Sequence, residues 1–272
     1  MINKYKQRMI EMILGNSEIA FILIGFFVVI NIIVLIFLVI SYRNILVPIP
    51  NLNNTPSQTM TSLEVIDRYL TKKKISGLKV VRKPHQVLIT NSYKKKTFYI
   101  NDLQLYSQSY FLSGMGLDYV LGRTFFATQL HLKNRHVQTM NFLLYLAPPL
   151  FLFLFFILSI LIIVFYVLTK VNPNLLDLNF FYFIEHYGIL NLILIFIIGA
   201  YLILLSFNGH FKQNLENLYE TEMRPFVKKE FPELYDDWII ARSYARGVQF
   251  TYLFGYNFIF KRLYKYTGPF GL

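Results

Sequence analysis

Residues Ile19 to Ile40 read IAFILIGFFVVINIIVLIFLVI, a run of 22 in which Asn31 is the only strongly polar side chain. At about 1.5 Å of rise per residue, a helix of this length reaches roughly 33 Å, enough to cross a bilayer core of about 30 Å. The run starts too far from Met1 for a simple cleavable signal. No A-x-A-like site follows Ser41, so the run reads as a retained membrane anchor.

Two further runs have the same character. Phe142 to Leu168 is the longer, and Pro148-Pro149 suits a first helical turn, where a missing N–H costs nothing. That places the second span at about Pro149 to Thr169, with Phe142 to Ala147 as an apolar lead-in. Gly188 to Phe207 is the third, and its small pair Gly199-Ala200 lets another helix approach closely. The lead-in Phe180-Phe181-Tyr182-Phe183 is expected in the membrane interface. The short polar link Val171-Asn172-Pro173-Asn174 predicts an antiparallel hairpin of spans two and three.

The expected fold is a mainly α membrane protein. Residues 1–41 hold an N-terminal segment and the first span, 42–140 a basic α+β extramembrane domain, 141–207 a transmembrane hairpin and 208–272 an amphipathic, aromatic-rich helical tail. An odd number of crossings puts 42–140 and 208–272 on one side. Lys4, Lys6 and Arg8 ahead of the first span favour an inside N-terminus, whereas Lys133, Arg135 and Lys212 around the later spans pull the other way. We adopt the inside N-terminus.

Composition agrees with a membrane protein. Only 15% of residues are charged against 55% hydrophobic, with a mean hydropathy of +0.43, whereas soluble domains carry about 25% charged residues. With no cysteine, disulfides, thiolate metal sites, iron–sulfur clusters and thiol nucleophiles are excluded. A formal net charge of +12 points to anionic headgroups or an acidic partner.

After a Pro- and Asn-rich linker from Val47 to Pro56, the pattern from Ser62 to Leu70 predicts a short helix. A capping Ser or Thr, acids in the first turn and Lys72 to Lys74 at the end all match a helix dipole. Leu78 to Val81, Val87 to Thr90 and Thr97 to Ile100 are β-prone runs, which predict a small antiparallel sheet. Gly114, Gly116 and Gly122 fall in a less regular stretch and do not follow the G-x-G-x-x-G phosphate fingerprint. In the tail, Phe211, Leu215, Leu218, Tyr219 and Met223 recur at helical spacing up to Pro225, which is expected to stop that helix. A second helix from about Pro232 carries Leu234, Trp238, Ile239 and Ile240 to Gly247. The run Phe250 to Phe260 is too short to span.

None of the three apolar cores contains Asp, Glu, Lys, Arg or His, which argues against a pump or transporter. Asn31, Ser159 and Asn191 read as hydrogen-bonding glue between helices, and Glu185-His186 as interface anchors. The histidines include no i, i+4 pair and no H-E-x-x-H, and the chain has no G-x-S-x-G elbow. Catalytic, cofactor-binding and metal residues are therefore all assigned as none. The basic clusters Lys72, Lys73, Lys74, then Lys79, Arg82, Lys83, then Lys94, Lys95, Lys96 suit anionic phospholipid at about 1 kcal/mol per basic residue near the surface. Phe211, Leu215, Leu218 and Tyr219, with the alternating aromatics Phe250, Tyr252, Phe254, Tyr256, Phe258 and Phe260, are the expected partner-binding surface. Tyr93, Phe98 and Tyr99 interleave with the last basic cluster, but three spans disfavour a nucleic-acid role.

With 27 Phe, 20 Tyr, a single Trp and abundant Ile, Leu, Asn and Lys, the chain resembles divergent membrane subunits encoded in AT-rich protist mitochondrial genomes, particularly those of ciliates. The resemblance implies a non-catalytic subunit of a mitochondrial inner-membrane energy-converting complex, respiratory chain or ATP synthase, with assembly, scaffolding and lipid-contact roles. Other subunits and cardiolipin are the implied partners. The alternative is a bacterial inner-membrane export or transport component in which 42–140 is an extracytoplasmic binding module. A lipid-modifying enzyme lacks a catalytic constellation.

Overall fold

Three long apolar helices carry the membrane-spanning character expected from the sequence. The computed structural model describes residues 17–44, 61–82, 90–92, 97–100, 114–186, 188–248 and 266–271. In chain order the helices are α1 (Ser17–Arg43), α2 (Ser62–Lys72), α3 (Gly114–His131), α4 (Arg135–Asn141), α5 (Ala147–Val171), α6 (Asn179–His186), α7 (Ile189–Glu230) and α8 (Tyr235–Gly247). The strands are β1 (Lys79–Arg82), β2 (Thr90–Ser92) and β3 (Thr97–Ile100). The chain divides into two units, Met1–Ile40 with Leu146–Ser206, and Ser41–Tyr145 with Phe207–Leu272.

In the first unit, Phe21 near the start of α1 packs edge-on against Tyr166 near the end of α5, with ring centroids 5.1 Å apart. Phe27 meets Phe155 of α5 at 4.2 Å and Tyr201 of α7 at 5.2 Å. Helix α5 is thus antiparallel to both α1 and α7. Their shared core is Ala20, Phe27, Phe155, Leu158, Ile162, Leu194, Ile197, Ile198 and Tyr201. The outward faces stay apolar: Ile22 and Phe196 are each 69% exposed, which in water would be a severe liability and in lipid is the ground state. Asn31 and Ser159 each donate to a carbonyl of their own helix, Phe27 O and Phe155 O, both at 2.8 Å. These hydrogen bonds lie within a helix and not between helices, because a short polar side chain reaches its own i−4 carbonyl first. Protease treatment of sealed vesicles is expected to cut 42–140 and 208–272 together or to spare both; cleavage of one alone overturns the three-crossing topology.

The chain enters α5 through a π-helical turn, Phe142–Leu146. Pro148 and Pro149 have no N–H to continue the i→i−4 ladder of α4, and the wider turn absorbs the mismatch in register.

The second unit is helical at its centre. Helix α3 is buried at Leu117, Val120, Leu121, Thr124, Phe125 and most of its other positions. The sequence reading expected irregular structure there, because a helix surrounded on every side shows no amphipathic period. Its glycines mark the closest approaches. A Cβ on Gly114 would lie 2.3 Å from the backbone carbonyl carbon of Asp237, and one on Gly122 would lie 2.3 Å from Pro269 Cβ.

Helix α7 continues past Pro225, which was expected to end it. Interior proline costs about 3 kcal/mol. Met223 and Val227, on either side of it, are both fully buried, and Phe226 stacks edge-on to Tyr69 at 5.5 Å, so packing outweighs the lost hydrogen bond. Helix α2 forms as expected, closed by a capping box in which Glu64 N donates to Thr61 Oγ1 (3.3 Å) and Thr61 N to Glu64 Oε2 (2.9 Å).

The small sheet has the order β1-β3-β2, with β2 antiparallel to β3 but β1 parallel to β3, Lys79 opposite Thr97. An antiparallel sheet was expected; β2 instead takes one edge of β3 and leaves the other for β1, which pairs in parallel. The α+β description of 42–140 is not supported. The core of this unit is built from helices and the C-terminal segment, with Val80 of β1 packed against it.

Candidate functional site

The side chains that stand out in the second unit form a buried ionic cluster. On α7, Lys212, Glu216 and Glu220 follow at four-residue intervals beside the core residues Leu215, Tyr219 and Met223. That spacing puts acids and apolar groups on one helix face. Helix α3 contributes Asp118, α8 contributes Trp238 and Arg242 at i, i+4, and the C-terminal segment contributes Tyr266.

Arg242, 2% exposed, is the hub. Its guanidinium donates to Asp118 Oδ2 at 3.2 Å and to Glu216 Oε2, lies 3.9 Å from Glu220 Oε2, and sits over the Tyr219 ring 4.8 Å from its centroid. Asp118 also accepts from Tyr219 Oη at 2.8 Å and from Tyr266 Oη, while Trp238 Nε1 donates to Tyr219 Oη at 3.4 Å. Lys212 Nζ pairs with Glu216 at 3.3 Å and donates to the carbonyls of Ala245 (2.9 Å) and Val248, where the last turn of α8 collects unpaired acceptors. At the rim, Glu220 meets Arg224 at 2.5 Å and Arg246 at 2.9 Å.

Three buried carboxylates therefore face two buried cations. Burial pushes the Asp118 carboxyl above its ordinary range, against the pull of Arg242 and its hydrogen bonds. Burial also disfavours the Arg242 charge, but Asp118 and Glu216 overcome it and hold that pKa above the usual arginine value. Tyr266 is held neutral by burial and by the adjacent Asp118. Chemically the arrangement neutralises charge and fixes the registers of three helices. Among the described residues no group of three or more His, Asp or Glu is placed to hold a metal ion.

The sequence-predicted lipid cluster divides. Lys72 pairs with Glu230 at 3.2 Å and Lys73 with Glu222 at 2.9 Å, so both fasten α2 to α7. Tyr69 and Gln129 also donate to Glu222, and Arg68 donates to Glu230 O at 3.1 Å. Lys74 and Lys79 are exposed. Arg82 ends β1, and Lys83, Lys94, Lys95 and Lys96 lie outside the described residues.

The partner surface also changes. Leu215 and Tyr219 are fully buried within the chain's own core, and Phe211 and Leu218 pack against it half-buried, so this face of α7 is already covered. Phe250, Tyr252, Phe254, Tyr256, Phe258 and Phe260 lie outside the described residues. Sequence reading missed Asp118, Glu216, Arg242 and Tyr266. The available signal was Lys212, Glu216 and Glu220 recurring in phase with Leu215 and Tyr219, a polar stripe on the buried face. Compared with protein-family models, with curated proteins and with solved structures, the chain matches none.

Proposed function

We propose that this chain is a structural integral-membrane subunit that anchors and holds neighbours in a larger membrane complex. The observation that carries this reading is the pairing of apolar spans that lack ionisable groups with an extramembrane unit whose buried charges engage one another. Such a unit supplies a rigid, locked body on a lipid-facing anchor. Its composition favours a mitochondrial inner-membrane energy-converting complex, where Lys74, Lys79 and the neighbouring basic residues would meet cardiolipin. In gentle detergent the chain is expected to migrate on native gels well above its own mass, with oxidative-phosphorylation subunits co-migrating by mass spectrometry. Export components in that band would favour the bacterial alternative, and a lone monomer would sink the subunit reading.

A further inference from the structure

The C-terminal segment, residues 266–271, sits in the second unit as a peptide sits in a receptor. It has neither helix nor strand of its own, yet all six residues are buried. Asp118 of α3, itself fully buried, accepts from Tyr266 Oη. Gly268, at φ +85°, lies against Ala245 of α8, where a Cβ would come 2.7 Å from the alanine methyl. Pro269 fills the space left by the missing side chain of Gly122 on α3. Phe270 meets the rings of Phe126 on α3 and Tyr219 on α7, and Tyr145 of the π-helical turn donates to its carbonyl. The pattern that this groove accommodates is Tyr-x-Gly-Pro-Phe.

Two observations separate the segment from its groove. The walls are tied to one another without it: Arg242 of α8 binds Asp118 of α3 and Glu216 of α7, Tyr219 donates to Asp118, and Lys212 donates to the carbonyls of Ala245 and Val248. The chain also leaves after Val248 and comes back to its own starting point, because Gly268 touches Ala245. The segment can therefore part from the groove without drawing α8 with it. We infer that residues 266–271 are an exchangeable strap, and that the groove between α3, α7 and α8 is a binding site for a Tyr-x-Gly-Pro-Phe peptide, occupied in cis by the chain's own C-terminus. A covalent tether supplies an effective concentration on the order of 1 mM, so a site with a trans affinity of about 10 μM is about 99% filled in the intact chain. This inference concerns the second unit alone and is independent of membership in any complex.

The test uses the purified full chain in detergent, with a site-specific protease sequence inserted after Arg262 and cut once the chain has folded. Dilution to about 0.1 μM, well below the expected affinity, should release the 263–272 fragment and lower amide protection in α3 and α8. A labelled synthetic peptide of residues 263–272 should restore that protection, binding about tenfold more weakly with Tyr266→Phe and about a hundredfold or more with Phe270→Ala. The decisive variant is Gly122→Ala, built with Pro269→Gly in its own tail so that the intact chain folds. Alanine favours the helix, and its methyl meets Tyr219 at an ordinary 3.6 Å. After cutting, this chain should reject the native peptide by about tenfold or more and prefer the peptide carrying Pro269→Gly, reversing the order seen with Gly122. A fragment that stays bound on dilution and does not exchange makes 266–271 an ordinary part of the core and overturns the strap. A released fragment whose synthetic copy does not rebind overturns the site. The same order of peptides on both chains reduces the contact to general apolar adhesion and overturns the recognition.

Discussion

Arg242→Met is expected to lower the stability of the detergent-solubilised chain by about 3 to 5 kcal/mol, the usual cost of leaving buried charge uncompensated. The substitution keeps the aliphatic stem of the side chain but leaves Asp118, Glu216 and Glu220 facing Lys212 as the one remaining buried cation of the cluster. Asp118→Asn is expected to cost less, about 1 to 3 kcal/mol, because it removes the surplus carboxylate and leaves two acids facing two bases. The pH dependence separates the two variants. A carboxyl whose pKa is raised in the folded state holds its proton more tightly folded than unfolded. Its contribution to stability is present below the ordinary value of 3.8 and is lost as pH rises through the folded pKa, so that part of the pH profile should vanish in Asp118→Asn. Denaturation monitored by the single Trp238, buried in this cluster, reads both effects. Equal, small losses for both variants would show that the charges do not hold this unit together.

The second large effect lies at the other end of the chain. Phe270 is fully buried, edge-on to Tyr219 at 5.4 Å and to Phe126 at 6.1 Å, and its carbonyl accepts from Tyr145 Oη at 2.8 Å. Phe270→Ala is expected to cost about 3 to 5 kcal/mol through lost contacts and the cavity left behind. Truncation after Gly247 should do more, since it removes Tyr266, Pro269 and Phe270 together. The three spans should still insert, while amide protection in α3 and α8 collapses in the isolated chain, with no partner present. Full protection after truncation would mean that residues 266–271 contribute nothing to the core.

The sequence made the spans legible because a bilayer imposes one stringent requirement, some twenty consecutive apolar residues. The short helix α2 was equally plain, since a capping Ser or Thr and acids in its first turn act locally, and the structure closes it with the Thr61–Glu64 box. What escaped reading depends on contacts between distant segments. Gly114 and Gly122 look like loop residues until Asp237 and Pro269 are seen packed against them. Pro225 looks like a stop until Met223 and Val227 are seen buried beside it. Glu216 and Glu220 look solvated because their counter-charge, Arg242, lies on another helix. Local rules assign polar residues to water and prolines to ends, and each of these positions is one where tertiary packing overrides the local preference.

The bond from Tyr266 to Asp118 joins residues 148 positions apart. At about 5 to 20 residues per second of synthesis, Asp118 emerges roughly 7 to 30 s before its tyrosine partner. During that interval α3, apolar on every side, has no completed core, while the ribosome is still delivering two membrane segments. The core of this unit therefore closes only once residues 266–271 have been made, and until then the faces of α3 that meet Tyr266, Pro269 and Phe270 lack that cover.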